Sequence, residues 1–495
     1  MATVELGHTA PLQHPDKLYI GGKWVTPSTD RMIDVIAPAT EQVFARVAEA
    51  MEADMVAAVT AARHAFDHGP WPRMTHGERA GYIRRIARLL DERAPDTALI
   101  WPNEMGMTHK IATASAARMG GIYDFYAGLA DTYPWEEPMP STVAAQALLV
   151  REPVGVVGAI IPWNGPMSLI AYKVAPALVA GCTVVIKASP EAPGHALMMA
   201  EIAEAAGLPP GVINVVTADR EASEAMVRNP SVDKIAFTGS SAAGKRIASL
   251  MGDRIGRYTL ELGGKSAAII LDDYDIQSAA DALGGAICAL TGQVCAALSR
   301  VIVPRDRHDE MVEALAARFA KVVVGDPFDP VSDMGPLAMR RQRDRVEHFI
   351  GLGRDAGYRI AAGGKRPAHL ERGFYVEPTV FSNVDNNAAI AREEIFGPVL
   401  AVIPADSETH AIEIANDSPY GLNGAVFTND VDRAYAAARQ VRSGTVGHNG
   451  LKTDFGIAFG GFKESGVGRE GGVEGLKPYL ELKTMLLDGT PSHLK

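Results

Sequence analysis

Cysteine is scarce in this chain, with three in 495 residues. Three thiols cannot staple a chain of this size, so a disulfide framework is excluded and a reducing, cytoplasmic compartment is expected. A basic surplus is missing too: 48 Lys and Arg stand against 59 Asp and Glu, for a formal net charge of −11. That balance leaves nothing to neutralise phosphates, which argues against nucleic acid and against an anionic membrane surface. No apolar run reaches the roughly 20 residues a bilayer span needs; the longest, such as residues 154–163, are of strand length. The opening MATVELGHTA lacks the basic region and apolar core of a secretory signal. Neither His-Glu-x-x-His nor a paired cysteine spacing occurs, so no metal is expected. Internal repeats and low-complexity segments are also absent.

What remains is a globular composition, 47% hydrophobic and 22% charged, in a chain long enough for two to three domains. Residues 1 to about 20 read as a loose arm. Residues 19–25 suggest strand, turn and strand, and residues 50–67 and 79–99 repeat apolar positions at helical spacing. From about residue 148, short β-rich runs at 154–161, 183–186, 213–216, 234–237 and 267–271 alternate with Ala-rich stretches that open at Pro or Gly. This alternation implies a parallel sheet with helices on both faces. It resumes after Cys295, with strands expected near 300–303, 399–402 and 425–427, which indicates a second α/β domain. Residues 479–487 read as a final strand that forms a small sheet with residues 133–153. Such a strand is an exposed edge unless another subunit covers it.

Few residues stand out chemically. Cys182, at the mouth of a buried-looking strand, and Cys288, in an apolar helix, read as small buried hydrophobes. Cys295 follows Gly292-Gln293-Val294, where a glycine permits a turn and close backbone approach; taken alone it is as readily structural as reactive. Glu261 sits between two leucines at a strand end, followed by Gly263-Gly264, a pattern that suits a ligand-facing carboxylate or an acid in solvent. Asn164, bracketed by Pro162 and Pro166, puts an amide at the carboxyl end of a parallel strand, where open α/β sheets bind ligands. An amide there is either an oxyanion donor or an ordinary turn residue. In residues 237–245 a strand runs into a Gly-rich turn with Ser240 as N-cap, aiming helix N–H groups at a phosphate. The spelling Gly239…Gly244-Lys245 imitates a nucleoside-triphosphate loop, but Arg246 stands where Ser or Thr would hold Mg²⁺. A dinucleotide pyrophosphate is the better ligand, held by a variant fold because G-x-G-x-x-G is absent.

Together the motifs carry a resemblance. Pro162-Trp163-Asn164, Lys187 at a strand end, Phe237-Thr238-Gly239-Ser240, Leu260-Glu261-Leu262-Gly263-Gly264-Lys265 and Gly292-Gln293-Val294-Cys295 come first. Glu393-Glu394-Ile395-Phe396-Gly397-Pro398, Phe459-Gly460-Gly461-Phe462-Lys463 and Ser465-Gly466-Val467-Gly468-Arg469-Glu470 follow in order. Over nearly its whole length the chain resembles the aldehyde dehydrogenase superfamily. The resemblance implies an enzyme that oxidises a small-molecule aldehyde to an acid through a cysteine thiohemiacetal and thioester, with NAD or NADP as hydride acceptor. Cys295 would be the nucleophile, the Asn164 amide and the Cys295 N–H the oxyanion donors, and Glu261 the base for the hydrolytic water, with Lys173 and Glu470 as a proton relay behind it. Lys187 would bind the adenosine ribose. Gly239, Ser240 and Gly244 would lie near the pyrophosphate, Glu394 on the nicotinamide ribose beside Phe396, and Ile160, Trp163 and Leu262 along the same cofactor site. Gly165, Leu169, Tyr172, Val294, Leu451, Thr453 and Phe455 would line the substrate channel. Their apolar, uncharged character suits a neutral aliphatic or aromatic aldehyde, although Asp454 nearby would favour a cationic one. The implied fold is α/β: a variant dinucleotide-binding, Rossmann-like domain (1–132 and 154–262), an α/β catalytic domain (263–477) and an oligomerisation hairpin (133–153 and 478–495), assembling as a homodimer or homotetramer.

Three departures bear on these expectations. Relatives that prefer NAD often have Glu three residues after the strand-end Lys; here Pro190 stands there and Glu191 follows. Ser189-Pro190-Glu191 also reads as a helix start, with Ser189 as N-cap and Glu191 serving the helix dipole. NAD stays the favoured cofactor, by charge repulsion between Glu191 and a 2′-phosphate. Residues 215–222 lack the glycines common after this strand, and Ala458 replaces a common proline. The rivals are a CoA-acylating dehydrogenase, against which Glu261 speaks, an NTPase using residues 239–245, and a silent crystallin-like relative, against which Cys295, Glu261 and Asn164 speak.

Overall fold

Strands Val156–Ile160, Thr183–Ala188, Ile213–Thr217 and Lys234–Thr238 are buried at every residue. Continuous apolar runs of this kind suit a parallel sheet covered on both faces, where alternation has no role. The computed structural model describes residues 7–492, so the first six residues of the expected arm and the last three of the expected hairpin lie outside the described residues. The four strands and Arg257–Glu261 pair in parallel. Leu18–Ile20 and Lys23–Val25 extend one side, and Gly466–Val467 closes the other, to make an eight-stranded sheet. Val157, Ala159, Val184 and Ile186 face one buried apolar cluster, and Val156, Ile160, Val185 and Phe237 face another. The helix Pro166–Ala180 starts on a proline, whose missing N–H costs nothing in the first turn.

The second sheet has seven strands in the order Arg359–Ala362, Thr379–Ser382, Val399–Ala405, Leu298–Pro304, Ser266–Ile270, Asn423–Phe427 and Thr445–His448. The strand expected at 267–271 therefore lies inside this sheet and does not continue the first one. Gly263 and Gly264 carry the chain across between Glu261, the end of one sheet, and Ser266, the start of the next. A third, three-stranded sheet pairs Leu480–Leu487 with Gln146–Pro153, which pairs in turn with Glu136–Met139. Its outer strand leaves Leu482 and Leu486 exposed.

Two helical expectations need correction. Residues 79–99 are not one helix but parts of His76–Glu92 and Ala94–Met105, because Pro95 restarts the chain at a helix first turn. Ser189-Pro190-Glu191 is a turn and not a helix start. The helix begins at Gly194, after Pro193, since a residue preceding proline is kept out of the helical region. Among the described residues no helix is long and apolar enough to cross a membrane, and no group of His, Cys, Asp or Glu could hold a metal.

One buried cation ties the second sheet to the inter-sheet turn. Arg300 donates from Nε to the Lys265 carbonyl, from Nη1 to Asn386 Oδ1 and the Ile414 carbonyl, and from Nη2 to the Ala415 carbonyl, each at 2.9 Å. Arg300→Leu strands these buried acceptors, at a cost of roughly 3 kcal/mol or more. A thermal melt should show a midpoint several degrees lower; an unchanged midpoint would remove Arg300 from this role.

Candidate active site

The sheet register aligns one edge of the molecule. Val216, Lys187, Ile160, Phe237 and Leu260 sit side by side at the carboxyl ends of five parallel strands. Thr238 and Glu261 lie one step further out and are paired in register. The helix Ser241–Gly252 starts beside this edge, with Ser240 Oγ accepting from the Ala243 N–H at 3.3 Å as the expected N-cap. Gly244 rests on the Leu262 side chain. Lys245 is exposed and pairs with Glu464 at 2.9 Å, which speaks against its use as a phosphate-gripping P-loop lysine. Lys187 is buried, and burial pushes its ammonium down to about 8 despite Glu191 and Asp219 nearby.

Three loops meet at the other end of this edge. A Cβ on Gly263 would lie 2.4 Å from Glu394 Oε2, and one on Gly264 would lie 2.3 Å from the Cys295 carbonyl oxygen. Gly292, at φ 71°, abuts the Gly397 carbonyl so closely that a Cβ would lie 2.2 Å from it. Phe396 is itself left-handed, at φ 60°, a conformation that non-glycine residues adopt only under constraint. Its ring meets Trp163 edge-on at 5.3 Å. Glu394 accepts from the Gly264 N–H at 3.0 Å, and burial pushes its carboxyl up to about 7.

Cys295 is half-buried, whereas Cys182 and Cys288 are buried as expected. Burial, then the charges of Glu394 and Glu261, push the Cys295 thiol up to about 12, against the N–H groups of Ala296 and Cys295. Val294, Leu451, Phe455, Phe459 and Leu422 pack in one cluster with Cys295. Tyr172 stacks on Phe455 at 4.2 Å and Phe455 on Phe459 at 4.3 Å. Leu169 sits beside Gly165. Thr453 and Asp454 are exposed, and Asp454 Oδ1 is occupied by the Gly456 N–H at 2.7 Å. Asn164 Nδ2 donates to the Gln293 carbonyl at 3.1 Å, two residues from the thiol, and the Asn164 carbonyl accepts from Trp101 Nε1 at 3.2 Å.

Glu261 is 3% exposed, and neither carboxylate oxygen has a hydrogen-bond partner. Burial, followed by the like charge of Glu470, raises it well above the usual carboxylate range, against Lys173 and Arg469. Behind it Lys173 Nζ donates to Glu470 Oε1 and Thr238 Oγ1, each at 2.6 Å. Thr238, Gln293 and Phe459 were not singled out from the sequence as site residues. Each lay inside a quoted motif, but nothing in the residue types showed that Thr238 would reach Lys173, or that Phe459 would stack beside the thiol.

A strand-end row, a capped helix N-terminus and two buried, oppositely charged groups, Lys187 and Glu394, fit an extended ligand that carries both phosphates and ribose hydroxyls. Next to a half-buried thiol, such a cleft defines a dinucleotide-dependent oxidoreductase. A sequence model of the aldehyde dehydrogenase family matches residues 24–485. The geranial dehydrogenase of Castellaniella defragrans is 42% identical over 473 residues, which is 95% of this chain and 98% of that protein. The crystal structure of Mycobacterium tuberculosis aldehyde dehydrogenase complexed with NAD+ superimposes with a TM-score of 0.93 at 45% identity, covering 95% of this chain and 98% of that one. A mutant of aldehyde dehydrogenase C from Pseudomonas syringae, in complex with NAD+ and octanal, gives 0.93 at 39%, covering 98% and 99%. The chain belongs to the aldehyde dehydrogenase family and oxidises aldehydes to acids with NAD or NADP as hydride acceptor.

The glycine contacts make a sharp test. Gly264→Ala drives a Cβ onto the Cys295 carbonyl, and a displacement of about 1 Å at a reacting group costs on the order of 100-fold in rate. Gly285→Ala, where a Cβ meets nothing within 4 Å, is the control and should leave turnover unchanged. Equal turnover in the two variants would show that the close approach does not set the thiol.

Proposed function

We propose that Cys295 is the nucleophile and Glu261 the base of a hydrolytic aldehyde dehydrogenase. The observation that carries this reading is the buried Glu261 carboxylate with both oxygens unpartnered, beside a thiol whose proton its charge holds on. A thiol near 12 is almost wholly protonated at neutral pH and needs a base to ionise. Glu261, raised well above the usual carboxylate range, is matched to take that proton. The thiolate attacks the aldehyde carbon. Asn164 Nδ2 has one N–H spent on Gln293 and a second free for the developing oxyanion, shared with the Cys295 N–H. The bound dinucleotide supplies a hydride acceptor, and loss of hydride from the thiohemiacetal carbon leaves a thioester on Cys295. Glu261 first gives up the thiol proton to the Lys173–Glu470 pair and, deprotonated again, draws a proton from water; the water oxygen attacks the thioester carbon, and the Cys295 sulfur departs as thiolate. Lys173 and Glu470, joined at 2.6 Å, pass the proton onward.

Lys187 at one end of the strand edge and Glu394 at the other would hold the two riboses, with Gly239, Ser240 and Gly244 at the pyrophosphate between them and Ile160, Trp163, Leu262 and Phe396 along the walls. Residues 1–132 and 154–262 form the dinucleotide-binding domain, 263–477 the catalytic domain, and 133–153 with 478–495 the hairpin through which a cytoplasmic homodimer or homotetramer assembles. The exposed edge strand Leu480–Leu487 supports that last point. The stacked Tyr172, Phe455 and Phe459, with Val294 and Leu451, favour a neutral apolar aldehyde; Asp454 is exposed and has one oxygen on its own turn.

Glu261→Gln removes the base for both the thiol and the water, so the first turnover of reduced cofactor and the steady rate should both slow by roughly 10²–10⁴-fold. Steady cycling at the wild-type rate without CoA would overturn its role. Because the active form of Glu261 is deprotonated and its pKa is raised, hydrolysis should climb with pH over a range above the one in which an ordinary carboxylate ionises, and a rate already level at pH 5 would contradict the assignment. Cys295→Ala should lose aldehyde oxidation yet still bind dinucleotide in a fluorescence titration.

A further inference from the structure

The helix Arg340–Asp355 lies within the second half of the chain, yet its first two turns touch both ends of the cleft. Near the thiol, Gln342 Nε2 donates to the Ile395 and Phe396 carbonyls at 3.1 and 2.7 Å, and Arg345 Nη2 donates to the Glu394 carbonyl at 2.5 Å. At the other end Arg341 Nη2 meets Glu191 Oε1 at 2.6 Å. The second oxygen of Glu191 accepts from Ser189 Oγ in the turn that follows Lys187. Asp219, the residue preceding the helix Arg220–Arg228, is the other anion acting on Lys187. This corner therefore brings together two cations, Lys187 and Arg341, and two anions, Glu191 and Asp219.

A carboxylate beside the adenosine ribose disfavours a 2′-phosphate by repulsion. Glu191 is not free to do so, since both its oxygens are engaged and its charge is cancelled by Arg341. The Arg341 side chain is 68% exposed, and an ion pair of that exposure is cheap to open. A guanidinium fork also matches phosphate geometry closely.

We propose that Arg341, paired with Glu191 across the cleft, reads the 2′ position of the adenosine ribose and lets this chain accept NADP as well as NAD. This rests on the reading that the adenosine lies against Lys187. With NAD bound, Arg341 stays on Glu191. With NADP bound, the 2′-phosphate takes the place of the Glu191 carboxylate on the guanidinium, with Lys187 contributing the second positive charge.

The test is direct binding to the full-length protein, titrating NAD+ and NADP+ against tryptophan fluorescence, since Trp163 lies within the cleft. The wild-type protein should bind both, with dissociation constants within about tenfold of each other. Arg341→Ala should weaken NADP+ by roughly 10–100-fold while NAD+ moves less than about threefold. Arg341→Lys should fall between, and Glu191→Gln should shift the ratio toward NADP+. The fragments 2′,5′-ADP and 5′-AMP should repeat the same pattern. Binding of both dinucleotides with a ratio that Arg341→Ala leaves unmoved overturns the proposal alone. A wild-type protein that responds to neither dinucleotide overturns the cleft reading and the proposal together.

Discussion

The absence of a Cβ at the inter-sheet turn and at the turn before the thiol is the constraint on which the site depends. Gly264 lies against the backbone of Cys295, Gly263 against the carboxylate of Glu394, and Gly292 against Gly397. Loops from three separate parts of the chain are thereby held at backbone contact. One carries the general-base candidate from the first sheet, one carries the nucleophile candidate ahead of Leu298–Pro304, and one carries Glu394 and Phe396 ahead of Val399–Ala405. A side chain at Gly264 or Gly292 would meet backbone and wedge the loops apart, and one at Gly263 would displace the Glu394 carboxylate.

Bringing the loops together also sets the electrostatics. Burial shifts Glu261, Glu394 and Cys295 toward their protonated forms, with Glu470 adding to it at Glu261 and the charges of Glu394 and Glu261 adding to it at Cys295. Lys173 offsets the shift of Glu261, and a second buried lysine, Lys234, lies near Glu470. Lys173 is held between Glu470 and Thr238, and Lys234 is anchored on Thr259 at 2.6 Å. Desolvation pushes Lys234 down to about 7. Lys234, Thr238, Thr259 and Glu261 share one face because residues two apart on Lys234–Thr238 and Arg257–Glu261 point to the same side of the sheet.

Elements with local causes were legible in advance. The strands at 183–186, 213–216 and 234–237 announced themselves as apolar runs, and the N-cap at Ser240 and the glycine turn before Cys295 were readable from residue type. Misreadings came where two local signals competed. Ser189 looked like an N-cap until Pro193 moved the helix start to Gly194, and Pro95 split what periodicity read as one helix. The alternation of apolar runs grouped the strand Ser266–Ile270 with the strands before it, because hydrophobicity records burial and not the neighbour that provides it; only the family's domain bounds set it apart.

Residue chemistry and spacing thus marked out the candidates, a thiol after a glycine turn, an acid at a strand end and an amide in a fixed turn, and their order pointed to the family. They did not settle the company those atoms keep. Thr238 under Lys173, Phe459 stacked beyond Phe455, and Arg341 reaching Glu191 across 150 residues of chain are consequences of long-range packing. Local propensity acts over a few residues, whereas desolvation and Coulomb forces act through space once the sheets have packed. The three-dimensional fold alone therefore decided which charges are buried together around the Cys295 thiol and the Glu261 carboxylate.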